Sequence, residues 1–403
     1  MSKIQVVIGA AYGDEGKGKS VDYLASKLDS DKTIVVRFQG GSQCGHTVVT
    51  PEGFRHVFSH FGSATLLGIP TFLSNYVVCN PLVFQKEYQE IKNFNPVVYA
   101  SSKCFVTTPY DMIINQIVEE SRGKNRHGSC GIGFNETIER CIKHPEFATT
   151  VDRPFGGKEF PRKILEIRNK YVKNRLKELK IEEINDKWKK IIENESLIYD
   201  YKDKISFFRS KINILDSHKI IEETPNIIFE GGQGLMLDED SYNFPHVTRS
   251  KTGLTNVEKI LIRSYRENEE VEVFYAMRPY ITRHGAGPLL GEIPKLPYRK
   301  FEDKTNIYNL HQESLRFAPF NFGLILSEIR KDLNNSKLEI SPKIFLNCFD
   351  HISENENMIT EDGKISKESF LKSLCSNPKE PTIFIGNGET RNDVKIWRGN
   401  YDY

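Results

Sequence analysis

Across 403 residues, 56 lysines and arginines stand against 54 aspartates and glutamates, a formal net charge of +2, so no global field points to nucleic acid or a membrane surface as partner. No run of eighteen apolar residues occurs and no basic segment followed by an apolar one opens the chain, so the expectation is a soluble, cytoplasmic protein. Seven cysteines (Cys44, Cys79, Cys104, Cys130, Cys141, Cys348 and Cys375) are scattered without C-x-x-C spacing, against a zinc ribbon or a disulfide framework and in keeping with reduced thiols.

In chain order, the apolar run Ile4-Gln5-Val6-Val7-Ile8-Gly9 predicts a buried parallel strand. The loop Gly13-Asp14-Glu15-Gly16-Lys17-Gly18-Lys19-Ser20 leads from it into a helix from Val21 to Lys27. Gly13, Gly18, Lys19 and Ser20 satisfy the G-x-x-x-x-G-K-[ST] pattern, in which backbone N–H groups and a lysine cradle phosphates at a helix N-terminus. Two carboxylates inside such a loop, Asp14 and Glu15, would repel a polyanion. They fit a chemistry in which an acid coordinates magnesium or takes a proton from a second substrate. A second strand, Thr33 to Phe38, runs into Gln39-Gly40-Gly41-Ser42-Gln43-Cys44-Gly45-His46-Thr47, and two such loops face one pocket at a sheet's carboxyl edge. His46 has no core to fill there, and its ordinary pKa suits proton transfer near neutral pH.

Further strand-to-loop exits are read at Thr71 to Pro81, Pro96 to Ala100, Asn226 to Gly234 and Val271 to Met277. Alternation of strand and helix signals predicts an α/β fold: a P-loop-like, mostly parallel central sheet flanked by helices, with helical and loop insertions. The span 1–403 reads as a single domain with a charged helical segment at about 160–222. That segment carries apolar residues at Ile164, Ile167, Tyr171 and Leu176, and its acids cancel its lysines, so it is not read as a nucleic-acid surface.

The pairing of Gly13-Asp14-Glu15-Gly16-Lys17-Gly18-Lys19 with Val36-Arg37-Phe38-Gln39-Gly40-Gly41 and Gly45-His46-Thr47 resembles the adenylosuccinate synthetase family. A second match is Phe229-Glu230-Gly231-Gly232-Gln233-Gly234 with Phe244-Pro245-His246-Val247-Thr248. The resemblance implies a ligase that condenses L-aspartate with a 6-oxopurine nucleotide, IMP to adenylosuccinate, using GTP and Mg2+ through a 6-phosphoryl intermediate. By the same resemblance Asp14 is the general base, His46 the acid at the departing diphosphate, and Lys17 a phosphate ligand; Asp14 and Gly45 hold the metal. Gly13, Glu15, Gly16, Gly18, Lys19, Ser20, Gly45, Thr47, Asp350 and Gly388 are implied to bind the triphosphate donor. Gln43, Ser129, Gln233, Thr248 and Arg140 are implied for the acceptor nucleotide, and Thr305 and Arg316 for aspartate. Arg283 is read either as a site contact or as packing beneath the site. A homodimer with shared active sites is the expected assembly.

Three departures from the family pattern concern specificity. Gln43-Cys44 stands where the family has Asn-Ala, and Cys348 replaces a lysine beside the retained Asp350. Between Asp303 and Phe322 an arginine-rich run is reduced to Arg316, with Thr305, Asn306 and Gln312 as polar helpers. These changes lean towards the viral-type branch that takes dGMP and makes 2-aminodeoxyadenylosuccinate, so dGMP or GMP as acceptor, with ATP or dATP as donor, stands as the alternative. Asp14 speaks for the IMP reading. A non-catalytic purine nucleotide sensor is the remoter alternative, and phosphate binding alone would not require Asp14 and His46.

Overall fold

The computed structural model describes residues 2–152, 160–298, 314–375 and 382–397. Ten strands form the central sheet: β1 (Lys3–Gly9), β2 (Thr33–Arg37), β3 (Thr71–Leu73), β4 (Val98–Ala100), β5 (Ile212–Ile214), β6 (Asn226–Gly234), β7 (Val271–Met277), β8 (Ile340–Leu346), β9 (Ile383–Gly386) and β10 (Val394–Trp397). Their spatial order is β10-β9-β8-β7-β1-β6-β2-β3-β4-β5. Every neighbouring pair is parallel except β9 with the edge strand β10. β1 lies at the centre, with β6 on one side and β7 on the other, because its apolar run has no polar face to leave in water.

Alternation along β1 divides the core. Val6 and Ile8 point to one face, into a cluster with Val257 and Leu261 of the helix Thr255–Arg263 and Ile325 and Ile329 of the helix Phe322–Asn334. Val7 points to the other, where it meets Val21 and Leu24 of α1 (Lys17–Ala25). Burying each such side chain stabilises the fold by about 1.5–3 kcal/mol. All nine residues of α1 are buried, since the helix lies under the hairpin formed by His46–Val49 and Arg55–Phe58.

A separate apolar cluster gathers Phe84, Tyr110 and Ile114 with Ile164, Ile167, Tyr171, Tyr201 and Phe208 from the charged segment. The apolar stripe read in that segment is its buried face. A strand interrupts the segment, however: between the helices Ser196–Lys211 and Ser217–Glu223, Ile212–Ile214 adds the outermost strand of the sheet beside β4. Its three residues are too few for a periodic signal, and pairing with β4 decides their conformation. No helix among the described residues is long and apolar enough to cross a membrane.

Parallel strands send all their carboxyl ends to one edge, where ligands of open α/β sheets bind. The exits of β1, β2, β6, β7, β8 and β9 converge there.

Candidate active site

At that edge lies a cavity of about 1280 Å³, larger than a site for one small ligand needs. The phosphate loop forms its floor. Gly13 and Asp14 both have positive φ, 110° and 62°, a costly backbone for an aspartate and one that persists where the surroundings enforce it. The loop is braced from within by Glu15. Its carboxylate accepts N–H groups from Ala11 at 3.1 Å and Gly13 at 2.7 Å, and its other oxygen takes the Lys17 ammonium at 2.7 Å. A Cβ on Gly9 or Gly234 would overlap this carboxylate. Burial acts to raise the Glu15 pKa, but the charge and hydrogen bonds of Lys17 and the loop amides hold it below the usual carboxylate value. From the side, Asn347 Nδ2 donates to the carbonyls of Glu15 (2.8 Å) and Gly16 (3.3 Å) and to the Ser20 hydroxyl (3.0 Å).

Asp14 is half-buried and faces the cavity, with His284 Nε2 at 3.6 Å from its carboxylate. His46 stands on the second loop and is buried among charges. Its Nδ1 lies 2.5 Å from Glu230 Oε1 and 3.2 Å from Arg37 Nη1, while Nε2 sits 3.4 Å from the Gly232 carbonyl. Sheet register produces the cluster, because Arg37 at the end of β2 is the direct partner of Glu230 on β6. Glu230 also accepts the Ser63 N–H at 2.9 Å and the Ser63 hydroxyl. Burial alone would raise the Glu230 pKa, yet His46 and Arg37 bring it down to about 2. Burial, then the Arg37 charge, pushes the His46 pKa below its ordinary value. The tautomer assigned from these contacts has Nδ1–H donating to an ionised Glu230.

Most of the residues expected from sequence line this one cavity: Gly13, Asp14, Glu15, Gly16, Lys17, Gly18, Lys19, Gln43, Gly45, His46, Thr47, Ser129, Gln233, Thr248, Asp350 and Gly388. Gln43 brings two buried amide atoms without a hydrogen-bond partner. Gln233 donates to Cys44 Sγ at 3.1 Å and leaves its Oε1 unpaired. The Ser129 hydroxyl accepts from Asn115 Nδ2 at 2.8 Å. Arg283 both lines the cavity and packs: it lies 4.3 Å over the Tyr12 ring and donates to the carbonyls of Pro288 and His246.

Three expected residues sit elsewhere. Ser20 is buried under the loop, its hydroxyl donating to the Gly16 carbonyl at 3.2 Å. Arg140 is fully buried, paired with Asp111 at 2.7 Å and donating to the carbonyls of Phe147 and Val106 and to Thr149; its fork is filled from inside the chain. Arg316 pairs with Glu292 at 2.5 Å and donates to the carbonyls of Gly285 and Gly287, so it holds the loop that carries His284. Thr305, Asn306 and Gln312 lie outside the described residues.

Sequence reading passed over Glu230, Arg37, Ser63, Asn347 and His284 as parts of the site. For the first two a signal existed: each is a charged residue closing an apolar strand, a place where burial demands a partner.

A family model described as adenylosuccinate synthetase matches residues 6–315. The adenylosuccinate synthetase of Borrelia duttonii (strain Ly) is 31% identical over 301 residues, covering 72% of this chain and 65% of the relative. That of Borrelia turicatae (strain 91E135) is 29% identical over 384 residues, covering 92% and 83%. Thus the match spans just under two thirds of the first relative's length. Among solved structures, the fully ligated adenylosuccinate synthetase from Plasmodium falciparum superposes with a TM-score of 0.74 at 20% identity, covering 98% of this chain and 100% of that one. The cyanophage S-2L succinoaminodeoxyadenylate synthetase (PurZ), bound to dGMP and to dATP as an energy donor, superposes at 0.63 with 14% identity, covering 100% and 96%. Both share the fold.

Proposed function

The chain belongs to the adenylosuccinate synthetase family, and from that premise we propose that it is a carbon–nitrogen ligase joining L-aspartate to a 6-oxopurine nucleotide, IMP to adenylosuccinate, at the expense of a nucleoside triphosphate. The observation that carries this reading is the sharing of one cavity by Asp14, set at positive φ inside a phosphate loop, and His46, braced by Glu230. A phosphate-binding protein has no use for either.

A 6-oxo group leaves poorly, so it is first made a phosphate ester. Asp14 takes the N1 proton of the purine, and the electron pair released makes O6 a nucleophile for the γ-phosphorus. As the O6–P bond forms, the bond from γ-phosphorus to the bridging oxygen breaks and the nucleoside diphosphate departs. Lys17 and the N–H groups at the α1 N-terminus meet its charge. A triphosphate arriving beside His46 favours the doubly protonated ring, with Nδ1–H held by Glu230 and Nε2–H donating to the leaving phosphate. The amino group of aspartate then displaces phosphate from C6. The products are adenylosuccinate, nucleoside diphosphate and phosphate.

Among the described residues no group of three or more His, Cys, Asp or Glu side chains stands ready for a metal, whereas Asp14 and the Gly45 backbone line the cavity together. That donor set suits Mg2+, which takes one or two protein oxygens and completes its shell with phosphate oxygens and water; when bound it would neutralise the charge on the transferring phosphoryl group. On the donor side, Asp350 is suited to accept the N1–H and 2-amino hydrogens of a guanine, which favours GTP.

A second reading takes dGMP or GMP as acceptor with ATP or dATP as donor. It is supported by the unpaired Gln43 amide in place of the family's asparagine, by Cys348 in place of its lysine, and by the ligands of the cyanophage neighbour. The deciding assay mixes protein, aspartate and Mg2+ with each of IMP, GMP and dGMP against GTP, ATP and dATP, and follows succinylated purine and aspartate-dependent phosphate release. Turnover with IMP and GTP is expected. Absence of product from every pairing, with nucleotide still bound, would favour the sensor reading and end the ligase proposal. The homodimer belongs to the same proposal and is checked by sedimentation velocity.

A further inference from the structure

Lys19 holds the motif position from which a lysine ordinarily reaches a phosphate. Its Nζ instead donates a 2.8 Å hydrogen bond to the carbonyl of Gly388, on the loop between β9 and β10. The side chain is 7% exposed. A Cβ on Gly386 would overlap the ammonium and approach the unpaired Oδ1 of Asn347, so a residue without a side chain is what admits Lys19 to this corner.

The next turn of α1 grips the same loop. Asp22 lies at i+3, on the same helix face, and both of its oxygens take Arg391 Nη1 at 3.2 Å. The loop is closed on itself by Thr390, whose N–H and hydroxyl each donate to Asp393 at 2.8 Å. Burial lowers the Lys19 pKa, and the neighbouring Cys348, Asp350 and Asp393 act against that loss of charge. Lys17, by contrast, pairs within the phosphate loop, to Glu15.

We propose that Lys19 is a positioning residue for the base of the donor nucleotide. It seats the loop Gly386–Asp393 beside Asp350, so that loop backbone and carboxylate form one purine-reading corner, and it leaves the phosphates to Lys17 and the N-terminus of α1. The inference rests on the reading of Asp350 as the base-reading residue.

The test measures binding of GDP, ADP and inorganic diphosphate to the full chain by calorimetry, for the wild type, Lys19→Met, Gly386→Ala and Lys17→Met. Lys19→Met and Gly386→Ala are each expected to weaken GDP about tenfold, the scale of one lost charge-assisted hydrogen bond. Each brings the GDP-to-ADP preference towards one and leaves diphosphate within about twofold of wild type. Lys17→Met should do the reverse, weakening diphosphate and keeping the preference. Should Lys19→Met fail to fold, Gly386→Ala carries the same comparison with the ammonium retained. Equal losses of GDP and diphosphate, or an unaltered GDP-to-ADP preference in the variant that folds, overturn the proposal. A wild type that binds GDP and ADP alike removes the Asp350 reading, and this inference with it.

Discussion

His46 shows how much of this site is a matter of single contacts. Its pKa is lowered by burial and by Arg37, while a Glu230 held at about 2 keeps a carboxylate on Nδ1 throughout the working pH range. Replacing Glu230 by Gln keeps the shape and removes the charge; kcat should fall by on the order of 10²-fold with the donor KM little altered. A proportional rise in KM without loss of kcat would mean that Glu230 only supports the loop. Asp14→Ala and His46→Ala are each expected to lower turnover by about a thousandfold or more while GDP binding stays measurable, and full activity in either removes the mechanism. Arg316→Ala is expected to raise the aspartate requirement, and an unchanged KM would remove Arg316 from any part in aspartate binding. Given its bonds to Glu292 and to the Gly285 and Gly287 carbonyls, that effect would pass through the loop bearing His284. Asp14, Lys17 and His46 were legible because each stands in a glycine-rich loop beside its strand. Glu230, a charge closing an apolar run, announced only its need for a partner; that this partner is His46, 184 positions away, was decided by the register of β2 on β6.

Among the elements, the helix Phe134–Lys143 corrects a functional expectation. Arg140 lies inside it, paired with Asp111 of the helix Pro109–Arg122, and truncating one partner leaves the other charge buried and unpaired. Arg140→Ala should therefore cost about 3–5 kcal/mol in urea unfolding, whereas a stable variant with weakened acceptor binding would restore the residue to the site. A second test lies where the helix Phe322–Asn334 meets β7. Asp332 there accepts the Leu254 N–H and the Tyr275 hydroxyl, and burial raises its pKa to about 6 in spite of those donors. Between the unfolded value near 3.9 and that folded value, the native state binds the extra proton, so stability falls as pH rises through the window. Asp332→Asn should flatten this slope by about 2 kcal/mol after allowance for the part-exposed side chain. An unfolding profile between pH 4 and 7 that keeps the wild-type slope would assign the effect to another group. What raises the Asp332 pKa depends on the strand that this helix meets, a contact no local pattern announces.

Taken whole, the molecule is a mostly parallel sheet whose carboxyl edge gathers six loops around one cavity, and the acceptor and donor assay is a test at that scale, because the proposed reaction requires both nucleotides and aspartate to occupy it together. The sequence alone determined six of the ten sheet strands and the loops that leave them: apolar runs ending in glycine or in a charge are local patterns, set by side-chain period and backbone freedom. It also carried the family, since the phosphate loop, the His46 loop and the Gln233 to Thr248 stretch are contiguous motifs. Tertiary structure decided which charges meet. It turned Glu15 inward to hold Lys17, sent Lys19 to Gly388, and set Asn347 against the phosphate loop from 331 positions away. It also closed Arg140 onto Asp111 and made an edge strand of Ile212–Ile214. A charge is paired by whatever the fold brings within a few ångströms, and in a parallel sheet those neighbours come from crossovers far apart in the chain.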